Sequence, residues 1–229
     1  MKQSLADFDN RLINGMDFCK KAYSLFENIR RSPNGVERLR LRKDRLEKKL
    51  IEELLPIARY VQARHSHGRQ LKVRWKDGTQ NYDAQLLSTG LLVELRLVPR
   101  VVYLEVTTAV HEKDHIARDI FNKTGRAFTA KGVKKDPQTG KYVSQPYVYT
   151  NLELPKDLAN RIAKRIQAKT NKEYRIPTIL IIQCMLEMNF FEGEWNYAIQ
   201  TVRDANILHR FEEIFLFDSN HHYSATLPG

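Results

Sequence analysis

The stretch VVYLEVTTAV, residues 101–110, constrains the fold more than any other part of the chain. It is apolar, aromatic or β-branched except for one residue, Glu105. Such composition favours a strand, and a strand this apolar belongs near the centre of a sheet with both faces covered. Val102, Leu104 and Val106 then share one face, and Tyr103, Glu105 and Thr107 the other. A carboxylate in a covered strand is costly unless something pairs with it. Glu105 therefore asks for a cation.

Strand periodicity surrounds this segment. Leu71, Val73 and Trp75 alternate with Lys72, Arg74 and Lys76, and Lys76-Asp77-Gly78-Thr79 reads as a hairpin turn. The return strand alternates Tyr82, Ala84 and Leu86 with Asp83 and Gln85, so Asp83 points away from the packed face. The pattern predicts one more strand over 91–98, ended by Pro99, and a buried strand over 176–183. A further apolar strand is expected over 211–217, with a flexible tail at 219–229.

The rest of the chain carries helical spacing. Leu5, Phe8, Leu12, Met16, Cys19, Tyr23 and Phe26 form one stripe. Val36, Leu39, Leu46, Leu50, Leu54, Ile57 and Val61 form a second, which Pro56 should kink or split. These predict an N-terminal helical hairpin over 1–66, its second helix packing on an α/β core at 67–218. Short helices are expected at 109–123 and 192–208. A basic helix at 155–170 buries Leu158, Ile162 and Ile166 and turns Lys156, Arg161, Lys164, Arg165 and Lys169 outward. Residues 124–150, rich in turn signals, read as an inserted loop or hairpin. Their Gly140-Lys141 is no phosphate loop, because Lys135 stands where the first glycine belongs.

Charge narrows the partner. The net charge is +11, and it is concentrated: residues 30–76 hold 15 Lys and Arg against 5 Asp and Glu, and 113–175 hold 15 against 6. Two basic blocks of this kind suit a polyanion, DNA or RNA, better than a membrane, since the basic helices lack a bulky aromatic face. Arg42, Lys43, Lys49, Lys156, Arg161, Lys164 and Arg165 are the expected phosphate contacts. The two cysteines, Cys19 and Cys184, are too few for a disulfide framework, and a cytoplasmic protein is expected.

Two metal chemistries compete. His111-Glu112-Lys113-Asp114-His115 spells H-E-x-x-H, the helical zinc-and-base pattern of metallopeptidases. Its central Lys113 and Asp114 are charged, whereas a helix behind a metal is normally buried, and no third ligand follows. A polar first turn on a surface helix accounts for it better. The second chemistry needs a hard cation held by carboxylates, which polarises a phosphate and generates hydroxide. Asp83 and Glu105, 22 positions apart on the less apolar faces of their strands, suit that task.

At these residues the chain resembles the PD-(D/E)xK nuclease superfamily, the restriction-endonuclease-like fold. The resemblance spans about residues 45–185. It comprises a helix with Glu52-Glu53, a hairpin whose second strand carries Asp83, the strand carrying Glu105, the basic helix and the buried strand after it. It implies an αβββαβ core and cleavage of DNA, less often RNA, with Mg²⁺ or Mn²⁺. Asp83 and Glu105 would be the metal ligands and Glu53 a third carboxylate. The lysine usual two places after the second carboxylate is Thr107 here. The resemblance then asks for an amine from elsewhere: Lys113, Lys156 or Lys164. A nucleic-acid-binding protein without catalysis is the alternative on the same fold.

Overall fold

The computed structural model describes residues 4–186, 190–220 and 222–229. In chain order these form β1 (Leu12–Asn14), α1 (Gly15–Arg30), α2 (Gly35–Leu41), α3 (Arg45–Lys49), α4 (Leu55–Arg64), β2 (Gln70–Trp75) and β3 (Ala84–Thr89). Then follow α5 (Leu91–Glu94), β4 (Val101–Ala109), α6 (Asp114–Thr124), β5 (Val133–Lys135), β6 (Tyr142–Ser144) and α7 (Glu153–Thr170). The chain ends with β7 (Thr178–Cys184), α8 (Glu192–Asp204), β8 (Glu213–Asp218) and β9 (Ser224–Pro228).

The protein is mixed α/β. A seven-stranded mixed sheet has the order β1-β2-β3-β4-β7-β8-β9. Strands β2 to β4 run as an antiparallel meander with β1 paired antiparallel to β2 at the edge, β7 and β8 join β4 in parallel, and β9 returns antiparallel at the other edge. Helix α7 makes the crossover from β4 to β7, and α8 the crossover from β7 to β8, as parallel neighbours require.

Both faces of the sheet are covered, which explains why β7 is buried at every residue. On one face Phe18, Leu25, Leu54, Ile57 and Val61 meet Val73, Leu86, Leu104 and Ile181. On the other, Leu158, Ile162 and Ile166 of α7 and Trp195 and Ile199 of α8 meet Leu180, Ile182 and Leu216. Gly15 opens α1 where it crosses β2, because a Cβ there would lie 2.9 Å from Val61 and 3.1 Å from the Leu71 carbonyl. The N-terminal helices are thus one layer of the main core.

Several elements depart from the sequence patterns. Residues 91–98 hold the short helix α5 and turns instead of a strand, so β3 pairs directly with β4. The first stripe is not one helix: Leu12 lies in β1, and helix begins only at Gly15. The second is broken at Arg42, which has φ +52°, and its 50–54 turn is a π-helix. Pro56 has no N–H to give, and the turn before it closes i→i+5, with the Leu55 N–H donating to Leu50 O. The tail expected to be flexible contains β9, which pairs with β8 along its length. The insertion does form a hairpin, β5 with β6.

Candidate active site

The site arises where β3 and β4 part. β3 pairs with β4 only across Val101 to Leu104, whereas β7 follows β4 to Ala109. Residues 105–109 of β4 therefore have a free edge, and the π-turn at Leu50–Leu54 packs against it. An extra residue in a helical turn shifts the side chains that follow, and here it brings Glu52 and Glu53 to the same cleft as Thr107 and Thr108.

Asp83 sits just before β3 and closes the gap. Its N–H donates to Leu104 O at 2.8 Å, and its Oδ2 accepts from the Val106 N–H at 2.7 Å. Burial, then the charges of Glu105 and Glu53, raise its carboxyl to about 7, against the opposing pull of the Val106 N–H and Lys169. Asp83 thus has no ion pair of its own among the described residues, whereas Glu105 and Glu53 each have a lysine.

Glu105 is 6 % exposed. Its cation is Lys169, whose Nζ forms an ion pair with Oε1 from the last turn of α7. The Tyr174 hydroxyl lies 3.4 Å from the same oxygen, and burial followed by the Glu105 charge pushes that phenol upward. Glu53 is held from two sides, by Lys49 Nζ at 2.5 Å and by the Trp75 Nε1–H at 3.0 Å. Three carboxylates from the π-turn, the start of β3 and β4 thus reach one end of the sheet.

The cation beside Glu105 comes from a residue that helical spacing marks only as part of an outer face. Lys113 is not its source, because its Nζ donates to Val133 O of the inserted hairpin at 3.1 Å. Lys156 and Lys164 are exposed on α7, and neither pairs with Glu105 among the described residues. Lys169 and Tyr174 could be found only from the parallel pairing of Tyr103 with Thr178, which sets the end of α7 beside Glu105.

Two adjoining clefts lie beside the C-terminal half of β4, and neither is lined by Asp83 or Glu105. The larger, about 580 Å³, is lined by Lys131, Arg161, Lys164 and Arg165 together with His111 and Asp157. The smaller, about 310 Å³, is lined by Arg42, Arg118 and Arg165 together with Glu52, Glu53, Thr107 and Thr108. Val110 and Arg165 line both. Lys43 and Lys156 are exposed on the surface. Lys49 is not a free contact as expected: it is tied to Glu53 at 2.5 Å and to Asp77 at 3.8 Å.

The zinc pattern has no zinc geometry. α6 begins at Asp114, so His111 and Glu112 lie in the preceding turn and only His115 is helical. His111 Nδ1 accepts from the Lys113 N–H at 3.1 Å, and His115 Nδ1 is 3.0 Å from Glu112 O. Among the described residues, no group of three or more His, Cys, Asp or Glu is placed to hold a metal ion, so Glu53 does not join Asp83 and Glu105 as the third ligand that was expected. No helix among them is long and apolar enough to cross a membrane.

No family model, curated protein or solved structure matches this chain.

Proposed function

We propose that the chain is a metal-dependent nuclease with a restriction-endonuclease-like core, cleaving phosphodiester bonds in DNA or RNA. The observation that carries this reading is that Asp83 lies close enough to Glu105 and Glu53 to feel both charges, with Lys169 paired to Glu105, beside the free edge of β4. The order of elements supports it: a helix with the π-turn, the meander β2-β3-β4, the crossover α7 and the parallel β7.

The donor set fits Mg²⁺ or Mn²⁺. Asp83 and Glu105 are hard oxygen ligands, and such ions are commonly held by one or two carboxylates plus water and substrate phosphate, without an all-protein cage. The elevated Asp83 carboxyl marks a place where a cation lowers the energy of crowded charge. When bound, the ion supplies Lewis-acid polarisation of the phosphate and a deprotonated water.

The chain's own groups do the rest. Lys169 places an ammonium beside Glu105 and takes the charge-stabilising role of the lysine replaced by Thr107. Lys49 and Trp75 hold Glu53 in orientation. Arg161, Lys164 and Arg165 line the approach and position the strand through its phosphates, which carry no sequence information.

The test is incubation of purified protein with supercoiled plasmid, single-stranded DNA and RNA, in Mg²⁺, Mn²⁺ or chelator. Cleavage only with metal is expected. Failure to cut any substrate, with binding retained, would favour the non-catalytic reading.

A further inference from the structure

We propose that the smaller cleft is a built phosphate-binding site, in which Arg42, Arg118 and Arg165, beside the free edge of β4 at Thr107 and Thr108, receive a phosphoryl group of a nucleic-acid strand. This rests on the reading above for the identity of the strand, though not on cleavage.

Arg42 is the informative residue. Its side chain is only 12 % exposed, and its one ion pair among the described residues is with Glu52 at a long 3.7 Å. Its Nε is buried with no hydrogen-bond partner. Burial, and then the Arg118 guanidinium, disfavour its charged form, and Glu52 and Asp114 offset this only in part. An arginine placed this way leaves donors unused and two like charges close together, which is costly unless an anion joins them. A guanidinium fork is well matched to the oxygens of a phosphate.

The backbone makes the same point. Arg42 closes α2 with φ +52° and ψ +40°, the left-handed conformation in which helices commonly end on glycine. A side chain there is strained, and strain of this kind persists where the surroundings impose it. Its effect here is to deliver the guanidinium into the cleft.

The remaining walls are consistent with an anion bound at one end. Arg118 is fixed by Asp114 at 2.9 Å and by donating to Arg40 O at 3.0 Å, so it is presented in one position. Arg165 is exposed at the junction with the larger cleft. Glu52 and Glu53 line the same cleft, and Glu52 is the acid that faces Arg42, so a phosphate there would share the guanidinium with it.

The experiment is fluorescence anisotropy of labelled oligonucleotides in chelator, where no metal-dependent cleavage occurs and a failure of the nuclease reading leaves the result intact. Strands carrying a 5′-phosphate or a 5′-hydroxyl are compared on wild type, Arg42→Gly and Arg165→Ala. Arg42→Gly relieves the strained backbone, so its thermal midpoint should hold or rise while affinity falls about tenfold or more. Inorganic phosphate should compete with the oligonucleotide on wild type more than chloride at equal ionic strength, and lose that advantage on Arg42→Gly. Arg165→Ala, at an exposed position on α7, should weaken binding with no change in midpoint. A preference for the 5′-phosphate that disappears in Arg42→Gly identifies a terminal phosphate. Equal binding of both strands, equally lost, identifies an internal phosphodiester. Unchanged affinity in Arg42→Gly, or a fall in midpoint matching its loss of affinity, would overturn the proposal.

Discussion

Lys169, in the last turn of α7, forms an ion pair with Glu105 in the middle of β4, and joins the crossover helix to the strand it crosses from. The pair is nearly buried, with side-chain exposures of 19 % and 8 %. Removing one partner of such a pair leaves an uncompensated charge, which costs more than the intact pair contributes. Lys169→Met should lower unfolding free energy by about 3 kcal/mol near pH 8. Adding Glu105→Gln should recover most of that stability and none of the cleavage. Urea denaturation of the two single variants and the double variant measures the coupling.

Asp83 predicts a pH dependence of the opposite sign to an ordinary salt-bridged carboxylate. Its folded value is about 7, above the ~3.9 of an unfolded aspartate. Between those values the folded state holds the extra proton, so metal-free stability falls as pH rises through the window. The full cost, about 4 kcal/mol at most, is present above pH 7 and absent below about pH 4. Asp83→Asn keeps an acceptor for the Val106 N–H and carries no charge. It should therefore be more stable than wild type at pH 8 in chelator and equal to it at pH 4. Equal midpoints at both pH values would contradict this assignment.

Nucleic-acid affinity should depend steeply on salt, with each neutralised phosphate contributing roughly −0.9 to the slope of log affinity against log salt on duplex DNA. Lys164→Glu with Arg165→Glu should weaken binding and flatten that slope. Lys49→Ala should leave the slope unchanged, because Lys49 is spent on Glu53 and Asp77. A slope reduced equally by both changes would show that the basic helix face has no special part in binding.

The strands were legible because their burial is one-sided or complete, and both leave a direct trace in the alternation of apolar residues. Residues 91–98 misled because Leu91, Val93, Leu95 and Leu97 alternate as a strand would, yet the three leucines are more than half exposed in a helix and its following turns. The stripe beginning at Leu5 misled because a three-residue strand and a helix can continue one another's spacing by chance. Glu105 could be picked out because it is a carboxylate in an apolar strand, Asp83 because it falls on the less apolar face of its strand, and Glu53 only through the resemblance. Lys169 could not, since it belongs to a run of similar cations, and only the register of β4 on β7 selects one of them. Arg42 was visible as a basic residue, but its left-handed backbone depends on the break between α2 and α3.

Glu105→Gln tests the central claim most directly, by nicking of supercoiled plasmid with Mg²⁺ or Mn²⁺ and with chelator. The substitution preserves shape and removes the charge that would hold the cation. Wild type should nick only with metal, and the variant should fall by ~10²-fold or more, the loss expected when several kcal/mol of transition-state stabilisation disappear. Its affinity for the plasmid in chelator should be retained or increased, since a negative charge near the phosphates has gone. Metal-dependent nicking that survives Glu105→Gln would contradict the account, as would a wild-type protein that binds nucleic acid and cuts none.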